Sequence, residues 1–283
     1  MITLKNIGYA GRIGNTLFQY TALFGIANKL GLEYGIPYEN ADEPTKYGYY
    51  DFFTNEWIHY RFDLFDAFNL SAKNIKYDDV PTNLYYEKYF QFDPTVFSLP
   101  DGTDINGWFQ SHRYFNHCEL DLRKELQFKD ELLISALKHW TSFGFPKGHE
   151  DKPKLMISMR IGDGYEFDKN FATANLEYYR NALAQFDLSK YHIVITSDMP
   201  DICKTILTPI IGDMKIHVLN EPCPYVTLAF YSLCDAYIIP NSTFAWWGAW
   251  FGNSKNKKVI IPKNWFNATV DTSLMSPDNW VKI

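Results

Sequence analysis

Cysteine is scarce in this chain of 283 residues: there are four, Cys118, Cys203, Cys223 and Cys234. None stands at the spacing of a metal knuckle or a dense disulfide framework, so reduced and mostly buried thiols are expected. No run of about 18 apolar residues occurs, and the N-terminus lacks a basic region followed by an apolar core. Neither a membrane span nor a signal peptide is therefore expected. Basic excess is missing as well, because 27 Lys and Arg face 33 Asp and Glu for a formal charge of -6. Without clustered cations the chain is not built for nucleic acid. The expectation is a soluble, cytoplasmic protein.

What is plentiful is apolar and above all aromatic: 46% of residues are hydrophobic and 18% are Phe, Trp or Tyr. That composition excludes a disordered chain. Aromatic faces suit sugar rings, although most of these side chains must fill the core. The length admits two medium domains. Residues 145–154 carry two prolines, one glycine and five charged residues, which suits an exposed crossing and sets domains at 1–146 and 147–283.

The second domain has the clearer pattern. Strand-like segments at 154–159, 191–196, 215–219, 236–239 and 258–261 alternate with helical ones at 176–186, 199–207, 225–234 and 243–251. Repeated βα alternation with short links implies a parallel sheet with helices on both faces. Ligands bind such sheets beyond the carboxyl ends of the strands. Arg160, Ser197-Asp198 and Asn241-Ser242-Thr243 all fall there.

In the first domain an apolar run at 2–7 leads to Gly11-Arg12-Ile13-Gly14-Asn15, and 16–30 continues as a helix. A glycine turn opening a helix is a natural anion site. Arg12 would add a forked cation and Asn15 a neutral donor to grip a phosphate. Residues 32–82 lack periodicity, and 85–92 alternate loosely. A short strand is expected at 103–110 and a helix over 112–137, in which Glu125 and Lys129 have the favourable i,i+4 order.

Two long strings now carry a resemblance. Residues 11–20 read G-R-I-G-N-T-L-F-Q-Y and residues 241–250 read N-S-T-F-A-W-W-G-A-W. They resemble the α-1,2-fucosyltransferases, whose members read close to G-x-L-G-N-Q-M-F-Q-Y-A and N-S-T-F-S-W-W-A-A-W. The likeness continues at Gly107-Trp108-Phe109-Gln110-Ser111 with Tyr114-Phe115, at Ile195-Thr196-Ser197-Asp198, and at Ile261-Pro262-Lys263-Asn264-Trp265-Phe266. The resemblance implies an α/β fold of GT-B type, with two Rossmann-like domains facing a cleft. It implies transfer of fucose from GDP-fucose to a glycan hydroxyl, in α-1,2 linkage with inversion, with no cofactor and no metal.

The resemblance also assigns residues. Arg160 aligns with the first arginine of the family motif H-x-R-R-x-D, which implies contact with the donor's β-phosphate, and Asp163 keeps the acidic position as a second catalytic candidate. Ser158 replaces the family histidine and Ile161 the second arginine. The donor set implied is Arg12, Asn15, Ser158, Asp198, Asn241, Ser242 and Thr243. Asp198 either reads the guanine edge, whose N1–H and N2–H₂ suit a carboxylate, or caps the helix after it. Ser242 and Thr243 would add a second phosphate cradle at a helix N-terminus. Trp246, Trp247 and Trp250 are expected in the core. The general base is open among Asp163, Glu166, Asp168, His112 and His117. The replacements Ser158 and Ile161 keep two alternatives in view, a different nucleotide sugar and an inactive carbohydrate-binding relative. A dehydrogenase is disfavoured, since G-x-x-G-N lacks the G-x-G-x-x-G spacing.

Overall fold

The computed structural model describes residues 1–8, 11–37, 48–51, 56–59, 64–144, 151–162, 174–212, 214–266 and 270–283. The chain divides into two compact units, residues 1–128 with 270–278, and residues 129–269 with 279–283.

The first unit is built on β1 (Ile2–Thr3), β2 (Tyr34–Ile36), β5 (Lys73–Asn74), β6 (Asn83–Tyr86) and β7 (Thr103–Asn106). All pairings are parallel, in the order β5-β2-β1-β7-β6. The earliest strand is thus central, and the chain reverses its direction of growth between β1 and β7. A separate antiparallel pair, β3 (Gly48–Asp51) and β4 (Glu56–His59), and the short helix α2 (Leu64–Ala67) interrupt the series. Buried Asp104 ties the two strands at the switch: its Oδ1 accepts the Thr3 hydroxyl at 2.7 Å and the Lys5 N–H at 2.8 Å. Burial raises the pKa of this carboxyl, and those hydrogen bonds oppose the shift.

Helix α1 (Ile13–Leu30) fills the core beside this sheet, with Leu17, Phe18, Tyr20, Ala22, Leu23, Ile26 and Ala27 fully buried. It begins three residues earlier than the sequence pattern suggests. Arg12 is its N-cap residue, and the Arg12 carbonyl accepts the N–H groups of Asn15 and Thr16 at 2.8 and 3.2 Å. Gly14 and Asn15 are therefore the first helical turn rather than part of the loop.

Two expectations are corrected. The helix expected over 112–137 is broken: short 3₁₀ turns at His112–Tyr114 and Asn116–Cys118 lead into α3 (Glu119–Glu125), and α4 (Asp130–Ser142) starts anew. Glu125 and Lys129 thus share no helix. The Glu125 carboxylate instead accepts the Tyr20 hydroxyl at 2.5 Å, the Ser71 N–H at 2.6 Å and the Ser71 hydroxyl at 2.8 Å. The division between units also falls after Phe128, one helix before the expected 146/147 boundary. Helix α4 joins the second unit because Trp140 and Phe143 pack against Phe230, His192 and His217. Residues 145–150 of the expected linker lie outside the described residues.

The second unit follows the sequence pattern closely. Strands β8 (Lys154–Met159), β9 (His192–Ser197), β10 (Ile216–Val218), β11 (Ala236–Ile238), β12 (Lys258–Ile261) and β13 (Val281–Lys282) form one parallel sheet, in the order β10-β9-β8-β11-β12-β13. Their apolar runs are continuous because helices cover both faces. Leu155, Ile157 and Met159 of β8 pack with Tyr179, Leu183, Cys203 and Leu207 of α5 (Leu176–Leu183) and α6 (Pro200–Ile211). On the opposite face lie α7 (Pro224–Ser232) and α8 (Thr243–Phe251), where the Tyr237 hydroxyl bonds the carbonyls of Tyr231 and Cys234. Cys118, Cys203 and Cys234 are buried, Cys223 is half-buried, and all four are free thiols.

Candidate active site

In the second unit the order of strands places its switch point between β8 and β11, where open parallel sheets leave a crevice at their carboxyl edge. Arg160 directly follows β8 and is half-buried, Asp198 directly follows β9, and Ser242-Thr243 follow β11 after a three-residue turn. Three neighbouring strands therefore deliver a cation, a carboxylate and a helix N-terminus to one edge.

Each has a definite local role. The Asp198 carboxylate accepts the Ile161 N–H at Oδ1 and the Gly162 N–H at Oδ2, both at 3.0 Å. It thereby latches the segment that follows Arg160. It does not cap the next helix: Met199 is the N-cap of α6 with no side-chain bond, and the Ser197 hydroxyl accepts the Met199 N–H at 3.0 Å. Asp198 Oδ1 also accepts the Ser197 hydroxyl at 3.2 Å, and Oδ2 has a second lone pair beyond its amide bond. Ser242 is the extended N-cap of α8 and makes no side-chain cap bond, so neither its hydroxyl nor the first amides of α8 are closed on one another. That leaves the positive end of the helix dipole directed at the crevice.

Two members of the expected donor set sit behind this edge. Ser158 is buried in β8, and its carbonyl accepts the Tyr179 hydroxyl at 2.9 Å. Asn241 is 2% exposed and donates to the Trp265 carbonyl at 3.1 Å, joining the turns after β11 and β12. Asp163, with Glu166 and Asp168, lies outside the described residues. Trp246, Trp247 and Trp250 are core residues, at most 1% exposed, and Trp246 stacks at a tilt on Trp280 at 5.1 Å between ring centres.

The first unit repeats the arrangement at its own switch point. Gly11 has φ of +80°, which suits glycine, and a Cβ there would lie 1.9 Å from Asn15 Nδ2. Arg12 is half-buried beside it. Across the switch stands the turn after β7, at residues 107–110, to which the resemblance assigns no role. The Gln110 amide donates to Asn15 Oδ1 at 2.9 Å, and the Gln19 amide donates to the Gly107 carbonyl at 2.9 Å while its oxygen accepts the Gly8 N–H at 2.8 Å. The repeated glutamines of the two motifs, at 19 and 110, were the available signal. Phe109, the one described non-glycine residue with positive φ (+50°), sits in the same turn. The turn is braced by Glu87, one residue past β6, whose Oε2 accepts the N–H groups of Trp108 and Phe109 at 2.7 and 3.0 Å.

The two histidines considered as bases are committed elsewhere. His117 bonds through Nε2 to the Gly25 carbonyl at 3.1 Å, so that nitrogen carries the proton, and burial holds the imidazole's pKa below its usual value. His112 pairs with Glu119 at 3.4 Å and draws the Glu119 pKa down to about 2, with Arg123 assisting. Among the described residues no group of three or more His, Cys, Asp or Glu could hold a metal ion. No helix among them is long and apolar enough to cross a membrane.

Comparison with known proteins gives three findings. The family described as "Glycosyl transferase family 11" matches residues 101–283. The O-antigen biosynthesis glycosyltransferase WbnK of Escherichia coli is 37% identical over 68 residues, which is 23% of this chain and 22% of that relative's length. Among solved structures, POFUT1 in complex with GDP aligns with a TM-score of 0.52 at 11% identity, covering 92% of this chain and 97% of the other. The α-1,6-fucosyltransferase NodZ from Bradyrhizobium aligns at 10% identity with a TM-score of 0.49, covering 89% and 92%. The POFUT1 likeness shows the fold: α/β, with two parallel-sheet units, of GT-B type.

Proposed function

This chain belongs to glycosyl transferase family 11, and from that premise we propose that it moves fucose from GDP-fucose to a hydroxyl of a glycan, in α-1,2 linkage and with inversion. The observation that carries the proposal is the delivery of Arg160, Asp198 and Ser242-Thr243 to one edge by the adjacent strands β8, β9 and β11. In the reaction the bond from sugar C1 to the β-phosphate oxygen breaks, and its electron pair stays on the departing GDP. Arg160 and the amide end of α8 meet that growing charge with dipoles already in place, an effect worth about 3 kcal/mol per well-aimed group. The acceptor oxygen attacks C1 from the opposite face, which inverts the centre. Asp198 receives an N–H of the guanine edge on the Oδ2 lone pair left over from its latch. With positive groups of the chain facing the pyrophosphate, the reaction needs no metal, and transfer in excess EDTA is expected to match transfer without it.

The test is thermal stability with GDP, GDP-fucose, UDP and UDP-sugars. A ligand at about 100 times its dissociation constant adds roughly 2.7 kcal/mol, so GDP and GDP-fucose are expected to raise Tm, UDP compounds are not, and Arg160→Ala abolishes the rise. A second reading has a specific basis. Ser158 and Ile161 stand where the resemblance expects histidine and arginine, and Ser158 is buried, so the donor edge holds one cation fewer. A rise with another nucleotide sugar in place of GDP-fucose would turn the proposal to that donor, and no rise with any would turn it to a binding protein without turnover.

A further inference from the structure

A carboxylate oxygen that takes an N–H of a nucleobase meets the ring only at its edge, and the flat faces of the ring still have to be covered. We propose that Met199 covers one of them: its thioether side chain is the shelf on which the donor's purine stacks, beside Asp198 Oδ2. The inference deepens the donor reading above and rests on it.

The shelf is built from two adjoining segments of the second unit. Asp198 directly follows β9, and Met199 is the N-cap residue of α6. The spot that a Cβ on Gly162 would occupy lies 3.3 Å from both Asp198 Oδ2 and Met199 Cγ. Carboxylate oxygen and thioether stem therefore converge beside one stretch of backbone, and the glycine keeps that spot open. Oδ2 is also the oxygen with a lone pair to spare, because Oδ1 takes both the Ile161 N–H at 3.0 Å and the Ser197 hydroxyl at 3.2 Å.

Met199 is 39% exposed and Ile202, one helical turn further on, is 41% exposed. A single exposed apolar residue needs no explanation. Two of them three positions apart at the start of a helix share a face, and this strip begins at the oxygen that is left for a base. The backbone beneath it is held: the Ser197 hydroxyl accepts the Met199 N–H at 3.0 Å and the Cys203 thiol at 3.0 Å, which ties Met199 to the end of β9 and to the first turn of α6. The side chain itself is unbranched, with a polarizable sulfur that makes favourable contacts with aromatic rings. A purine lays a wider face on such a strip than a pyrimidine does, so the shelf favours GDP over UDP as well as adding affinity.

The test uses the whole protein with its methionine methyl groups labelled with carbon-13. There are six methionines, and the Met199 signal is assigned by its loss in Met199→Leu. GDP is expected to move that signal upfield through the ring current of the base, whereas inorganic pyrophosphate, which has no base, leaves it in place. By titration calorimetry Met199→Ala is expected to bind GDP about 3- to 10-fold more weakly, and Met199→Leu to stay within about twofold of wild type. Pyrophosphate affinity stays equal in all three proteins. A Met199 signal unmoved by saturating GDP, or a GDP affinity of Met199→Ala within about twofold of wild type, overturns the shelf while leaving the donor site standing. An equal loss of GDP and pyrophosphate affinity also overturns it, since the substitution then disturbs the whole edge rather than the base. Wild-type protein that binds neither GDP nor GDP-fucose overturns the donor reading and the shelf together.

Discussion

The latch formed by Asp198 gives the sharpest perturbation. Its carboxylate holds the N–H groups of Ile161 and Gly162 at 3.0 Å each, one on each oxygen, directly after Arg160. Hydrogen bonds to a charged acceptor are worth about 1.5–3 kcal/mol when protected, but Asp198 is exposed, and solvent reduces that. A net of about 1–2 kcal/mol in ordering the segment is reasonable, which is roughly 5- to 30-fold in an equilibrium constant. Asp198→Asn replaces one acceptor oxygen by an NH₂ that opposes an N–H, so GDP is expected to bind about 5- to 30-fold more weakly by titration calorimetry. Inosine diphosphate, which lacks the guanine N2 amine, divides the latch from base recognition. If Asp198 reads the base, wild type prefers GDP and the variant loses the preference. If it only latches, both nucleotides weaken equally, and a double-mutant cycle with Arg160→Ala shows coupling of about 0.5–3 kcal/mol. A GDP affinity within twofold of wild type in Asp198→Ala would refute both roles.

Gly248 of α8 faces the Tyr231 ring, where a Cβ would lie 2.2 Å from Cδ1 and 2.6 Å from Cε1. Gly248→Ala gains about 1 kcal/mol of helix propensity but overpacks a fully buried ring at about 1–3 kcal/mol, so a net loss is expected, at about 2–4 °C of Tm per kcal/mol; in a Tyr231→Leu background the sign reverses, and stabilisation of the wild-type background contradicts the packing argument. Glu125→Ala leaves the fully buried Tyr20 hydroxyl without its 2.5 Å acceptor and is expected to cost about 2–3 kcal/mol, read from the urea midpoint. Glu119 has its pKa lowered to about 2, first by His112, so its stabilisation is complete above the unfolded carboxyl's value and fades as pH falls toward about 2. The destabilisation caused by Glu119→Gln should shrink between pH 5 and pH 2, and a constant difference over that range would exclude the pairing.

Much of the second unit was legible because its strands are buried on both faces and its links are short. The segments 154–159, 243–251 and 258–261 match β8, α8 and β12 without a shift. The edge strand β13 was missed, since two residues, Val281 and Lys282, show no periodicity. In the first unit the strands span only two to four residues, too few for an alternating pattern to emerge. Glu125 looked like a helix-surface partner of Lys129 because nothing local announces the break that turns it toward Tyr20 and Ser71. The site was legible as to which residues stand after which strands, since that depends on chain order. What each residue contacts there was not: the Asp198 latch joins residues 36 and 37 positions apart, and the Asn241 bond to Trp265 spans 24.

The distribution of indoles has a spectroscopic consequence. Of the eight tryptophans, Trp140, Trp246, Trp247, Trp250, Trp265 and Trp280 belong to the second unit. Neighbouring ring centres in that cluster lie 4.9 Å (Trp246–Trp247) and 5.1 Å (Trp246–Trp280 and Trp247–Trp250) apart. Intrinsic emission is therefore a reporter of one half of the molecule, and rings this close should give exciton-coupled bands in the near-ultraviolet circular dichroism. A denaturation curve followed by fluorescence alone will register the loss of the β8–β13 sheet and pass almost silently over the β1–β7 sheet. Superimposed fluorescence and far-ultraviolet curves would mean that both halves melt in one step, whereas a far-ultraviolet transition at constant emission would isolate the half that carries the glycine turn.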